Sequence, residues 1–119
     1  MDIDQVKRVF ESKGFVQTRE NPESIVEFRS NENGEYVYLK KDQLRSGYIR
    51  IVLHPKFGSV YRALVGDERD IPWNRSSNLY QFPERVHTGK SPIHYGLSVE
   101  MYSEEALAAF LADFQFPKF

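Results

Sequence analysis

The chain is expected to fold as an α+β two-layer sandwich: an antiparallel sheet of three to five strands, with an N-terminal and a C-terminal helix packed on one face. Three observations carry that expectation. Apolar residues recur at helical spacing near both ends of the 119 residues. Between them run short alternating segments rich in β-branched and aromatic residues. Two of those segments flank Asn33-Gly34, a strong hairpin signal.

The first helix begins after Asp2, which forms a capping pair with Gln5, and Ile3, Val6, Val9 and Phe10 fall on one side of it. Gly14 stands where a helix turns into a left-handed residue, with apolar Phe15 behind it. Strands are expected at Ser24–Ser30 and Glu35–Leu39, on either side of the Asn33-Gly34 turn. Another is expected at Gly47–His54, where Ile49, Ile51 and Leu53 face one way and Tyr48, Arg50, Val52 and His54 the other. Pro55 ends it, having no N–H to give to a ladder. A weaker strand is expected at Ser59–Leu64. From Val65 to Lys90 periodicity dissolves, and a loop of that length is usually functional or holds irregular structure of its own. Leu97, Val99 and Met101 mark a further strand. Ser103 then caps a closing helix, Glu104 and Glu105 suit its positive end, and Leu107, Phe110, Leu111 and Phe114 form its apolar stripe. No repeat, linker or low-complexity tract interrupts residues 1–119, so a single domain is expected.

Composition narrows the function classes. A content of 40% hydrophobic and 14% aromatic residues is enough for a core, and a chain of this size buries roughly two thirds of its unfolded surface. There is no cysteine, which excludes a disulfide framework and a thiolate metal site and fits a reducing cytoplasm. The acidic, then amphipathic start is not the pattern of a signal peptide, and no apolar run approaches the roughly 18 residues of a membrane span. A net charge of −1 implies neither a broad nucleic-acid surface nor a membrane surface. The charges are nevertheless segregated. Lys40, Lys41, Arg45, Arg50, Lys56 and Arg62 share their segment with Asp42 alone, while Leu97 to Gln115 carries Glu100, Glu104, Glu105 and Asp113 and no base.

Chemistry-bearing residues gather from Gln81 to Gly96 and at His54. An acid–base pair of His54 and His94, with Tyr95 as an auxiliary donor, would serve a small hydrolase or nuclease; the plainer reading is that each histidine fixes a turn by hydrogen-bonding backbone. Asp67, Glu68 and Asp70 could supply carboxylates to a histidine metal site, but no two of His54, His87 and His94 have helical metal-ligand spacing. Tyr36, Tyr38 and Tyr48 with Lys40, Lys41, Arg45 and Arg50 form the alternative site of a nucleic-acid binder, rings stacking on bases and cations on phosphates. The helix–strands–helix order also matches double-stranded-RNA-binding domains, but Ser103-Glu104-Glu105 stands where those place a basic cluster and would repel phosphate. Arg75, Arg85 and Lys90 bracket the long loop, Trp73 pins it or anchors a contact, and the aromatic tail Phe114–Phe119 folds back or docks elsewhere. There is no phosphate-binding glycine loop, no Gly-x-Ser-x-Gly elbow and no nucleophilic cysteine. No catalytic residue, metal or cofactor is assigned.

Taken together, YVYL (Tyr36 to Leu39), IVLHP (Ile51 to Pro55), QFP (Gln81 to Pro83), Gly89 and HYG (His94 to Gly96), in that order before a final amphipathic helix, resemble the YgaC-type family of small uncharacterised bacterial proteins. The resemblance runs from the first helix to Leu111 and departs from it around Asn21 to Asn33 and Gly66 to Asn78. It implies a bacterial cytoplasmic protein with an α+β fold and supplies no activity, cofactor or catalytic residue. It also implies that His54, Phe82-Pro83 and His94-Tyr95-Gly96 belong to one feature. The expected function is accordingly a small non-enzymatic binding or regulatory module. Its groove would be formed by His54, Phe82, His94, Tyr95 and Gly96, and would take a protein partner or a small polar ligand.

Overall fold

Helix α1 (Ile3–Ser12) opens on Asp2, whose carboxylate accepts the Asp4 backbone N–H at 2.9 Å. It closes at Gly14, whose φ of 82° is the left-handed conformation the sequence marks there. The computed structural model describes residues 1–57, 73–85 and 92–112. Within them the strands are β1 (Phe15–Asn21), β2 (Ile25–Ser30), β3 (Tyr36–Lys40), β4 (Ile49–Leu53), β5 (Trp73–Arg75), β6 (Glu84–Arg85) and β7 (Ile93–Met101), and helix α2 (Glu104–Ala112) closes the described part. Ser103 caps α2 by accepting the Ala106 N–H at 3.0 Å. The expected strand Ser59–Leu64 and the tail Phe114–Phe119 lie outside the described residues.

All pairings are antiparallel, in the order β1-β2-β3-β4-β7-β5, with β6 joining β7 beyond that path. The fold is the α+β class that the sequence predicts, with a wider sheet than three to five strands. The additional strands have no apolar alternation to announce them. After Phe15, β1 is mostly polar and exposed, Val16 included among the exposed residues, as an edge strand can be, and β5 and β6 are too short to show a period.

Alternation sends each strand's residues to two faces. Val26, Phe28, Val37, Leu39, Ile49, Ile51, Leu53 and Leu97 meet Val6 and Phe10 of α1 and Leu107 and Leu111 of α2. Phe10 stacks on Phe28 at 4.1 Å between ring centres. The helices therefore share one face. The opposite face is covered differently. There Ile25, Tyr38 and Val52 are buried by Leu79 and Phe82, which come from the turns that join β5 to β6.

Candidate functional site

The covering segment, residues 76–83, holds itself in two successive turns: the Leu79 N–H donates to Ser76 O at 3.2 Å and the Phe82 N–H to Leu79 O at 3.0 Å. Its ends hang from β7, through the Ser76 N–H to His94 O at 3.0 Å and the Tyr95 N–H to Pro83 O at 3.1 Å. Phe82 is the plug. Its ring packs edge-to-face on Tyr38 at 5.0 Å and on His54 at 5.4 Å between ring centres. Gly96 lies beneath it, and a Cβ there would stand 2.6 Å from Leu53 O, 2.6 Å from Val52 Cγ1 and 3.0 Å from Phe82 Cδ2. The absence of a side chain is what lets β7, β4 and Phe82 meet.

Around Phe82 the structure brings together His54, His94 and Gly96, and the Tyr95 backbone ties the same segment. His94 Nδ1 lies 2.7 Å from Phe82 O, and since a carbonyl only accepts, Nδ1 carries a proton. Its Nε2 lies 3.4 Å from a Glu84 carboxylate oxygen, across the β6–β7 ladder. His54 Nδ1 instead accepts the Lys56 N–H at 3.1 Å, so that nitrogen is unprotonated. Burial, and secondarily the Lys56 charge, hold the His54 pKa below its usual value; Glu35 opposes them. His54 and His94 thus each commit one nitrogen to backbone, as a residue that fixes a turn does. His87, Lys90, Gly89 and the carboxylates Asp67, Glu68 and Asp70 lie outside the described residues. Trp73 opens β5 and Arg75 ends it.

The basic segment behaves differently from its sequence. Lys41 pairs with Glu20, Arg50 with Glu100 at 2.5 Å, and Lys56 with Glu35. The acids come from other strands and loops, so local charge counting does not find them. Tyr38 is completely buried, which corrects its reading as a stacking ring; Tyr36 and Tyr48 are half-buried. Tyr48 sits beside Arg50 and Tyr102. Arg45 is exposed and Lys40 half-buried. Lys41 and Arg45 line a cleft of about 440 Å³ with Glu20, Glu23 and Asp42, a wall of both signs rather than a phosphate track.

Sequence reasoning missed the polar network under the covering segment. Thr18 Oγ1 donates to Glu27 Oε1 at 2.9 Å and Tyr38 Oη to Glu27 Oε2 at 2.5 Å, while the Gln81 N–H donates to Tyr38 Oη at 3.0 Å. Burial first, then the hydrogen bond to Glu27, push the Tyr38 phenol far above its usual pKa. A glutamate alternating with Val26 and Phe28 is the one signal the sequence offers. It reads as solvent-facing because an exposed sheet face would have the same pattern. Beside this network lies a smaller cleft of about 170 Å³ lined by Arg19, Glu20, Asn21, Pro22, Ile25, Glu27, Tyr38, Asn78 and Tyr80.

No protein-family model matches the chain, and no curated protein matches it. The YgaC-type resemblance therefore rests on its five sequence patches. No helix among the described residues is long and apolar enough to cross a membrane.

Proposed function

We propose that the chain is a small non-enzymatic binding module whose recognition surface is segment 76–83 and the cleft beside it, taking a protein partner or a small polar ligand. One observation carries this reading. A polar turn segment is fastened to the sheet by the Phe82 plug, the His94–Phe82 O contact and the Tyr38–Gln81 hydrogen bond, yet it holds Tyr80 47% exposed at the cleft edge. A preorganised surface loses less entropy on binding than a loose one, and tyrosine offers contact area with few rotors. His54, through its ring contact with Phe82, and His94, through its contact with Phe82 O, act in this reading as supports of the surface. A bacterial cytoplasmic setting belongs to the same proposal, supported by the YgaC-type resemblance and the lack of cysteine.

The test is capture from bacterial lysate on three tagged baits, wild type, Tyr80→Ala and Tyr102→Ala, with and without nuclease. Tyr102 is exposed outside the cleft and serves as the control. The reading expects a stoichiometric, nuclease-resistant partner on wild type and Tyr102→Ala that is lost from Tyr80→Ala. Identical capture on all three baits, or capture that nuclease abolishes, overturns it.

A further inference from the structure

Glu27 is the one buried charged side chain among the described residues, at 3% exposure. Such groups are ordinarily matched by an opposite charge. Here both carboxylate oxygens receive hydroxyl protons instead, from Thr18 and Tyr38. The direction at Tyr38 is fixed by the Gln81 amide, which can only donate, so the phenol's own proton goes to Glu27. Hydroxyls soften the desolvation of a carboxylate but bring no positive charge. No cation among the described residues pairs with Glu27: Arg19, which lines the same cleft, rests over the Tyr80 ring, and Lys7 and Lys41 are paired with Glu20.

The cleft that Glu27 lines has phenol rings from Tyr38 and Tyr80, an amide from Asn78, and Arg19. A β-bulge between Gln17 and Arg19 lets two consecutive residues serve this face: Thr18 reaches Glu27, and Arg19 lays its guanidinium 3.8 Å from the centre of the Tyr80 ring. A protein cation already rests on the aromatic wall of a cleft that contains an unmatched carboxylate. We propose that this cleft binds a compact organic cation, an ammonium or guanidinium group of side-chain size, with Glu27 as its counter-ion and Arg19 as a built-in competitor displaced from Tyr80. The volume of about 170 Å³ sets the size, being below the roughly 300 Å³ at which sites for larger ligands begin. An anion is disfavoured by Glu27, and a purely apolar group would strand Asn78 and the carboxylate. The inference rests on the reading of segment 76–83 as a recognition surface and names the chemistry that surface selects.

The Gln81 amide reports on the site through its bond to Tyr38, so the experiment is an amide NMR titration of the full chain at constant ionic strength. Probes are n-butylammonium, methylguanidinium, n-butanol, butyrate, and a short peptide with either lysine or acetyl-lysine. The expected result is a saturable Gln81 shift with both cations and none with the alcohol or butyrate. Arg19→Gln should tighten cation binding by about two- to fivefold, the scale of one cation–π contact, and Glu27→Gln should abolish it. Should Glu27→Gln fail to fold, the exposed Arg19→Gln variant still decides. Tighter binding of the lysine peptide than of n-butylammonium, lost on acetylation, identifies a protein side chain as the source; the reverse order identifies a free amine. No cation shift, equal shifts with butanol, or an unchanged affinity in Arg19→Gln overturns the inference. A Tyr80-dependent partner that is captured while cations fail to bind leaves the binding-module reading standing and removes only this one.

Discussion

At His54 the ring nitrogen facing Lys56 accepts a hydrogen bond, so protonating it breaks that contact and places a charge against Phe82. The folded pKa lies below the ordinary 6.5, so the unfolded chain binds the proton more readily. His54 therefore contributes stability that is complete above about pH 6.5 and is lost as pH falls through the folded value. His54→Asn keeps an acceptor for the Lys56 N–H and cannot be charged. Urea midpoints measured between about pH 7 and pH 5 should fall more steeply for wild type than for His54→Asn, and equal slopes would show that His54 is not a buried neutral ring. The sequence identified His54 as special through its place before Pro55. It did not show which nitrogen is engaged, since that depends on how the short 3₁₀ turn Pro55–Phe57 folds the Lys56 amide back.

Among the elements, segment 76–83 behaves as a latch whose keeper is Gly96. The Leu53 carbonyl belongs to the β4 backbone and cannot retreat, although Phe82 can shift. Gly96→Ala should therefore cost about 1–3 kcal/mol in urea unfolding, the range for overpacking a filled site, and should speed hydrogen exchange at the Gln81 amide. Unchanged stability and exchange would mean that Phe82 does not seat against this strand. Gln81-Phe82-Pro83 and His94-Tyr95-Gly96 were legible as unusual residues in one aperiodic stretch, and the family resemblance implied that they share a feature with His54; that β4 and β7 are neighbours came only from the structure. Segment 76–83 itself was not, because its pairing runs through single contacts from Ser76, Tyr95 and Tyr38. A window of sequence holds no period for such contacts.

For the whole molecule, charge pairing ties elements that the sequence leaves far apart. Glu20 on β1 is held down to about pKa 2 by hydrogen bonds from Lys41 first and Lys7 second. Its contribution is present above the ordinary carboxylate value of 4.5 and is lost as pH falls toward 2. Glu20→Gln should remove that part of the acid limb: the wild type should lose more stability than the variant between about pH 5 and pH 3. The difference should be modest, less than about 1 kcal/mol per pair, as expected for partly solvated ions. A variant whose acid limb matches wild type would show that the three charges are not coupled. The same pairing explains why the Lys40 to Arg62 segment looks more basic in sequence than Lys41, Arg50 and Lys56 are in the fold.

By itself the sequence determined the two helices, their caps, the alternating strands β2, β3, β4 and the later part of β7, and hence the α+β class. These follow from periodicity and local backbone chemistry, which act over a few residues. Only the tertiary structure decided that the second face of the sheet is covered, that Glu27 and Tyr38 are buried under the cover, and that Arg19 reaches Tyr80. Those are long-range events. An alternating strand is written the same way whether its outer face meets water or a latch, and burial alone turns a polar residue on that face into an unmatched charge at the edge of a cleft.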